Sequence, residues 1–205
     1  MKLITALMLL GSIAQAGSIV KFEGKGSTVG KVADVAPGVK VTTPDGEVTL
    51  KVSGAGIRQK VKVFTFNVYS IASYVGDVSV LRKAKTPIEG IEKQKVKVLY
   101  LKMLRGLSAS EIRDSFEASL DLNGVDLKSD GVKEVFKQWS ADVKTGDTIT
   151  LIGYPEKETD TLIIEVNGVV IKSSQKGLPT DFWKIWFGKG DDKILEVQPS
   201  LVGKD

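Results

Sequence analysis

Lys62-Val63-Phe64-Thr65-Phe66-Asn67-Val68-Tyr69-Ser70-Ile71-Ala72-Ser73-Tyr74-Val75 is the stretch that decides the fold. Successive side chains of a strand point to opposite faces, so Val63, Thr65, Asn67, Tyr69 and Ile71 form one row and Phe64, Phe66 and Val68 the other. Both rows are largely apolar. A strand that is apolar on both sides belongs in the middle of a sheet covered by a second layer.

Upstream, Val39 and Val41, then Val48 and Leu50 beyond the turn Pro44-Asp45-Gly46, predict a strand, a turn and a strand that continues through residues 51–58. Downstream, Pro87 and Gly90 predict a loop, and residues 93–104 alternate as a further strand. Leu107-Ser108-Ala109-Ser110-Glu111-Ile112 is a helix start, because Ser108 can cap, Glu111 can return the bond, and Leu107 can staple to Ile112. Ile112, Phe116 and Leu120 then share one apolar stripe. A second helix is predicted over residues 129–141, with Val132, Val135, Phe136 and Trp139 inward. Strands return over residues 148–154, 161–166 and 169–173, the last two joined by Asn167-Gly168, a strong type I′ hairpin signal. A short aromatic helix over residues 180–187 ends at Gly188, and a final helix runs from Asp191 toward Val202. Helices with one apolar face must cover something, and the sheet is the available surface. The expected class is therefore α+β, a large antiparallel sheet covered by helices on one face.

Residues 1–16 read as a secretory signal peptide, with Lys2, an apolar run and the cleavage signal Ala14-Gln15-Ala16. That run is too short to span a bilayer, and no later run approaches a spanning length. The remainder, residues 17–205, is long enough for one domain with a sizeable core. Its basic surplus is small and spread along strands and helices, so a nucleic-acid partner is not expected. The chain has no cysteine and no histidine, which removes disulfides, the commonest base near neutral pH and a common zinc ligand. Asp45 and Asp191-Asp192 show no metal-binding spacing, and no metal or cofactor is assigned.

Candidate chemistry centres on Arg58. An arginine cannot be deprotonated at ordinary pH and offers five donors in a fixed fork, so a buried one calls for an anion. Gly54 and Gly56 lack side chains where a ligand or a crossing chain could come close. Tyr69 could add a hydroxyl donor without charge, but a bend, bulge or strand crossing is needed to bring the two residues to one side. Each has a plain alternative: a strand arginine paired with some carboxylate, and a core tyrosine. Tyr74 is a further candidate with the same alternative. Ser70 and Ser73 read as packing residues, because no histidine exists to activate them.

Gly56-Ile57-Arg58, the strand end 68–76, the strand and capped helix from Leu99 to Ile112, Gly146-Asp147, Asn167-Gly168, and the run Phe182-Trp183-Lys184-Ile185-Trp186-Phe187-Gly188 together resemble the chalcone isomerase-like family, specifically its bacterial exported members and its plant fatty-acid-binding branch. The resemblance implies an open-faced β-sandwich with the ligand cleft between sheet and helices. It also implies an arginine and tyrosine pair, here Arg58 and Tyr69, holding a carboxylate. The catalytic threonine position of the plant enzymes matches Tyr69, and their active-site tyrosine and asparagine match Ala109 and Phe116, so both of those polar groups are missing. The implied function is non-catalytic binding of a fatty acid or similar small amphipathic acid, with Ile112, Phe116, Phe66 and Leu101 as liners. With the signal peptide it implies the periplasm, or secretion where there is no outer membrane. Two alternatives stay open: an isomerase or lyase acting on a phenolic or enolisable substrate, and a structural or partner-binding protein whose pocket has collapsed.

Overall fold

The computed structural model describes residues 19–61 and 64–204, so the signal-peptide segment lies outside the described residues. In chain order the elements are β1 (Val20–Glu23), β2 (Ser27–Val29), β3 (Val32–Val35), β4 (Gly38–Thr43), β5 (Gly46–Val61), β6 (Thr65–Val75), α1 (Val78–Lys83), α2 (Pro87–Glu92), β7 (Lys97–Met103), α3 (Ala109–Leu122), α4 (Asp130–Gln138), β8 (Thr148–Glu156), β9 (Thr159–Val166), β10 (Val169–Ser174), α5 (Leu178–Phe187) and α6 (Asp192–Leu201). Eight strands form one antiparallel sheet in the order β1-β4-β5-β6-β7-β8-β9-β10, while β2 and β3 form a separate two-stranded ribbon. The sheet is curled, and the helices cover one face of it. This is the α+β, open-faced arrangement expected from the sequence.

Two apolar layers hold the sheet. On the helix side, Ile71, Leu99, Leu101, Leu151 and Ile164 pack against Phe116, Val135, Trp139, Trp183 and Trp186. On the other side, Val39, Val41, Leu50, Tyr74 and Val98 are joined by Val32 and Val35 of the ribbon. The helix-side layer forms because α3, α4 and α5 each carry one apolar stripe, as at Ile112, Phe116 and Leu120. Ser108 and Glu111 make both bonds of the capping box. Asn167 and Gly168 take φ values of 50° and 83°, as a type I′ turn requires.

Three expectations need correction. The segment around Pro87 and Gly90 is not a loop: Pro87 opens α2 behind the N-cap Thr86, and α1 precedes it with Asp77 as cap. Proline suits a first helical position, where its missing N–H is not needed. Burial on both faces holds from Ile71 to Val75 but not at the start of the segment, where Phe64 is 80 % exposed. Strict alternation also fails, since the β5–β6 register changes between Arg58↔Tyr69 and Gln59↔Asn67 and leaves Val68 as an extra residue. This bulge supplies the local irregularity that Arg58 and Tyr69 need in order to face the same way.

Candidate functional site

Gly54, Gly56 and Arg58 alternate along the helix-facing side of β5, opposite Ser73, Ile71 and Tyr69 of β6. The two glycines make room for a crossing chain: a Cβ on Gly54 would collide with the backbone carbonyl of Ser200, and one on Gly56 with the side chain of Val197. Helix α6 therefore lies directly on β5, and Ser53 Oγ donates to the carbonyl of Leu201 at 2.9 Å. That placement brings the N-cap of α6, Asp191, over Arg58.

A cavity of about 540 Å³ opens beside this point, between the sheet and helices α3 and α5. Arg58, Tyr69 and Asp191 stand at one end, and Leu101, Met103, Ile112, Phe116, Ile149 and Ile185 supply apolar wall. Phe66 also lines it, with the Arg105 guanidinium 4.3 Å above its ring. Lys60, Arg105, Glu111 and Asp114 bring charge to the lining.

The Arg58 side chain is only 11 % exposed, and its Nη2 lies 2.6 Å from Oδ2 of Asp191, whose side chain is 59 % exposed. Its Nη1 donates to the carbonyl of Gln59. Asp191 Oδ1 accepts from the Ile194 N–H at 2.9 Å. Burial works to raise the Asp191 carboxyl, but the Ile194 N–H and the Arg58 guanidinium outweigh it and hold the group below the ordinary carboxylate value. Tyr69 is pushed up to about 12, chiefly by burial, with the Trp186 hydrogen bond and the Arg58 charge pulling the other way. It is a neutral phenol at ordinary pH.

The Tyr69 hydroxyl accepts from Trp186 Nε1 at 2.8 Å. Neither Trp186 nor Arg58 can accept a hydrogen bond, so neither takes the phenolic proton. The head of the cavity therefore offers guanidinium N–H groups and one O–H donor. It is suited to holding an oxyanion, and Tyr69, protonated at neutral pH, is not poised to act there as a general base.

Among the residues singled out in the sequence, Arg58, Tyr69, Ile112 and Phe116 meet in this cavity. Tyr74 does not join them: it projects from the opposite face of the sheet, edge-on to Phe22 with ring centroids 6.2 Å apart, and lines a smaller cavity of about 260 Å³ under the ribbon. It lies five positions along the strand from Tyr69, and an odd step changes face. Ala109 is buried at the start of α3, where its N–H donates to Asp142, and lies outside the cavity lining. Asp191 is the site residue that sequence reasoning missed. Its local signal was that of an N-cap before a helix, and nothing in the sequence ties it to a residue so far upstream.

Among the described residues there is no cluster of three or more His, Cys, Asp or Glu able to hold a metal ion. No described helix is long and apolar enough to cross a membrane.

A curled antiparallel sheet covered on one face by helices defines a class of fold shared with known proteins. The profile described as "Chalcone isomerase-like" matches residues 30–194, and the chain belongs to that family. The crystal structure of an Arabidopsis thaliana fatty-acid binding protein superposes with a TM-score of 0.53 at 17 % sequence identity, covering 80 % of this chain and 99 % of that one. That similarity establishes a common fold. Comparison with curated protein sequences gave no match.

Proposed function

We propose that this protein binds a small amphipathic carboxylic acid of the fatty-acid type, with the head group on Arg58 and Tyr69 and the chain along Phe116, Ile112 and Leu101. The observation that carries the reading is a largely buried guanidinium and a phenolic donor side by side in a cavity of about 540 Å³ that has an apolar wall of Leu101, Met103, Ile112, Phe116, Ile149 and Ile185. Each methylene moved from water into that wall contributes roughly 0.8 kcal/mol. The head must stay paired, because an unpaired buried charge costs several kcal/mol. The structural relative described as a fatty-acid binding protein supports the same ligand class.

The reading is one of binding rather than catalysis. Phe116 puts a ring where the resemblance to the plant enzymes calls for a polar side chain, and a phenyl ring cannot stabilise charge developing on a substrate oxygen. A collapsed pocket is disfavoured by the open cavity. The leader-like residues 1–16 support export, and so the periplasm or the medium as the compartment.

Mass spectrometry of protein purified without detergent and released under denaturing conditions tests this. The expected result is a near-stoichiometric acid in the wild type that is lost in Arg58→Ala. Wild-type protein that is empty and also fails to take up added fatty acid would overturn the reading.

A further inference from the structure

The turn between α5 and α6 is fixed from two sides. Asn123 accepts from the Lys189 N–H at 2.7 Å and donates to the Lys189 carbonyl at 2.9 Å, while Gln198 Nε2 donates to the Gly188 carbonyl at 2.6 Å. Asp191 follows after Gly190 and uses both oxygens, Oδ1 to cap α6 and Oδ2 to engage Arg58. A freely moving carboxylate with this exposure would contribute little to a pair. One pinned by its own helix cap keeps its position over the guanidinium. An acid entering the cavity thus meets an arginine whose charge is already neutralised.

We infer that Asp191 is a tethered competitor for the head-group position: its carboxylate must yield or share Arg58 before an anionic ligand can bind, and it thereby sets how strongly the site favours acids over neutral amphiphiles. This rests on the proposed acid-binding function. Arg58 has donors for two carboxylates but charge for only one, so the second to arrive is opposed by the first. The other charged groups lining the cavity are Lys60 and Arg105 against Glu111 and Asp114, two of each sign, and Tyr69 is neutral. The Arg58–Asp191 pair therefore decides the charge balance at the head.

The test is calorimetric titration of the wild type and Asp191→Asn with dodecanoate and with dodecanol. Asparagine caps a helix as well as aspartate does, so α6 is retained while the charge is removed. The dissociation constant for dodecanoate is expected to fall about two- to fivefold in the variant, the upper part of the range set by partly exposed ion pairs, and that for dodecanol to stay the same within about 1.5-fold. Asp191→Ser, which also keeps a cap, is expected to give the same gain and guards against a folding defect in one variant. If the wild type binds dodecanoate and neither variant binds it more tightly, the competitor role is overturned and the acid-binding function stands. Equal gains for acid and alcohol would also overturn it, since they report a loosened cavity mouth rather than charge. No dodecanoate binding by any of the three proteins would overturn the inference together with the function beneath it.

Discussion

Lys97 is a buried cation in the helix-side layer, and its titration should govern stability in alkaline solution. The residue is 4 % exposed; Nζ donates to the Gln94 carbonyl at 3.3 Å and to Thr180 Oγ1 at 3.2 Å, and stands 5.9 Å from the Trp183 ring centroid. Burial pushes its amine from the ordinary 10.5 down to about 8, against the partial support of Asp160 and Glu92. The folded state thus releases this proton earlier than the unfolded chain does. Below about pH 8 both states carry the charge, and the folded state bears the full desolvation cost. Between about 8 and 10.5 the unfolded chain binds more protons, so stability rises with pH; at 1.36 kcal/mol per unit of displacement the gain is about 3 kcal/mol. Tyr69 acts in the opposite sense, because its raised value of about 12 contributes stability below pH 10 that is lost as pH climbs from 10 to 12. Urea unfolding at fixed intervals from pH 7 to 11 should therefore show a maximum near pH 10. Lys97→Met should be more stable than the wild type at pH 7 by about 2–3 kcal/mol and should lose the rise between pH 8 and 10. A wild-type profile that is flat or falling over that interval, or a Met variant with the same slope, would refute the reasoning.

Two substitutions probe the site's construction. Gly54→Ala sets a methyl group against the Ser200 carbonyl and must lift α6 from β5; a loss of about 1–3 kcal/mol is expected in chemical unfolding, as for other overpacked positions, and dodecanoate affinity should change with it because Asp191 moves too. Phe116→Ala removes a ring that is edge-on to both Trp139 and Trp186 at centroid distances of 5.3 and 5.6 Å. It should cost about 3–5 kcal/mol of stability and shift ligand preference toward longer or bulkier acids in competition titrations.

Features set by local chemistry were legible in the sequence. The Ser108–Glu111 box and the Asn167-Gly168 turn each need only four or fewer neighbouring residues, and the period-2 and 3.6 patterns around them gave the class of fold. Pro87 and Gly90 misled because both are helix breakers on average, whereas here Pro87 sits at a first turn and Gly90 lies against Leu81. The bulge at Val68 was not readable: alternation predicts faces only within an unbroken register, and the slip is decided by how β5 and β6 pair. Gly54 and Gly56 correctly signalled a close approach, but what approaches is α6, and only the tertiary structure names it. Asp191 was invisible as a partner of Arg58 for the same reason, since their contact is made by helix docking and not by spacing.

The most direct test of the central claim follows the ligand's own head group. Dodecanoate labelled with carbon-13 at the carboxyl, bound to the wild type and observed by NMR through an acid titration, should remain ionised below the pH at which an ordinary carboxyl protonates, because Asp191 yields or shares Arg58 once the acid is bound and a guanidinium neighbour favours the anion. The same signal in Arg58→Ala should titrate near the ordinary value or be absent through loss of binding. A wild-type bound signal that titrates like the free acid would place the head in water and contradict the account.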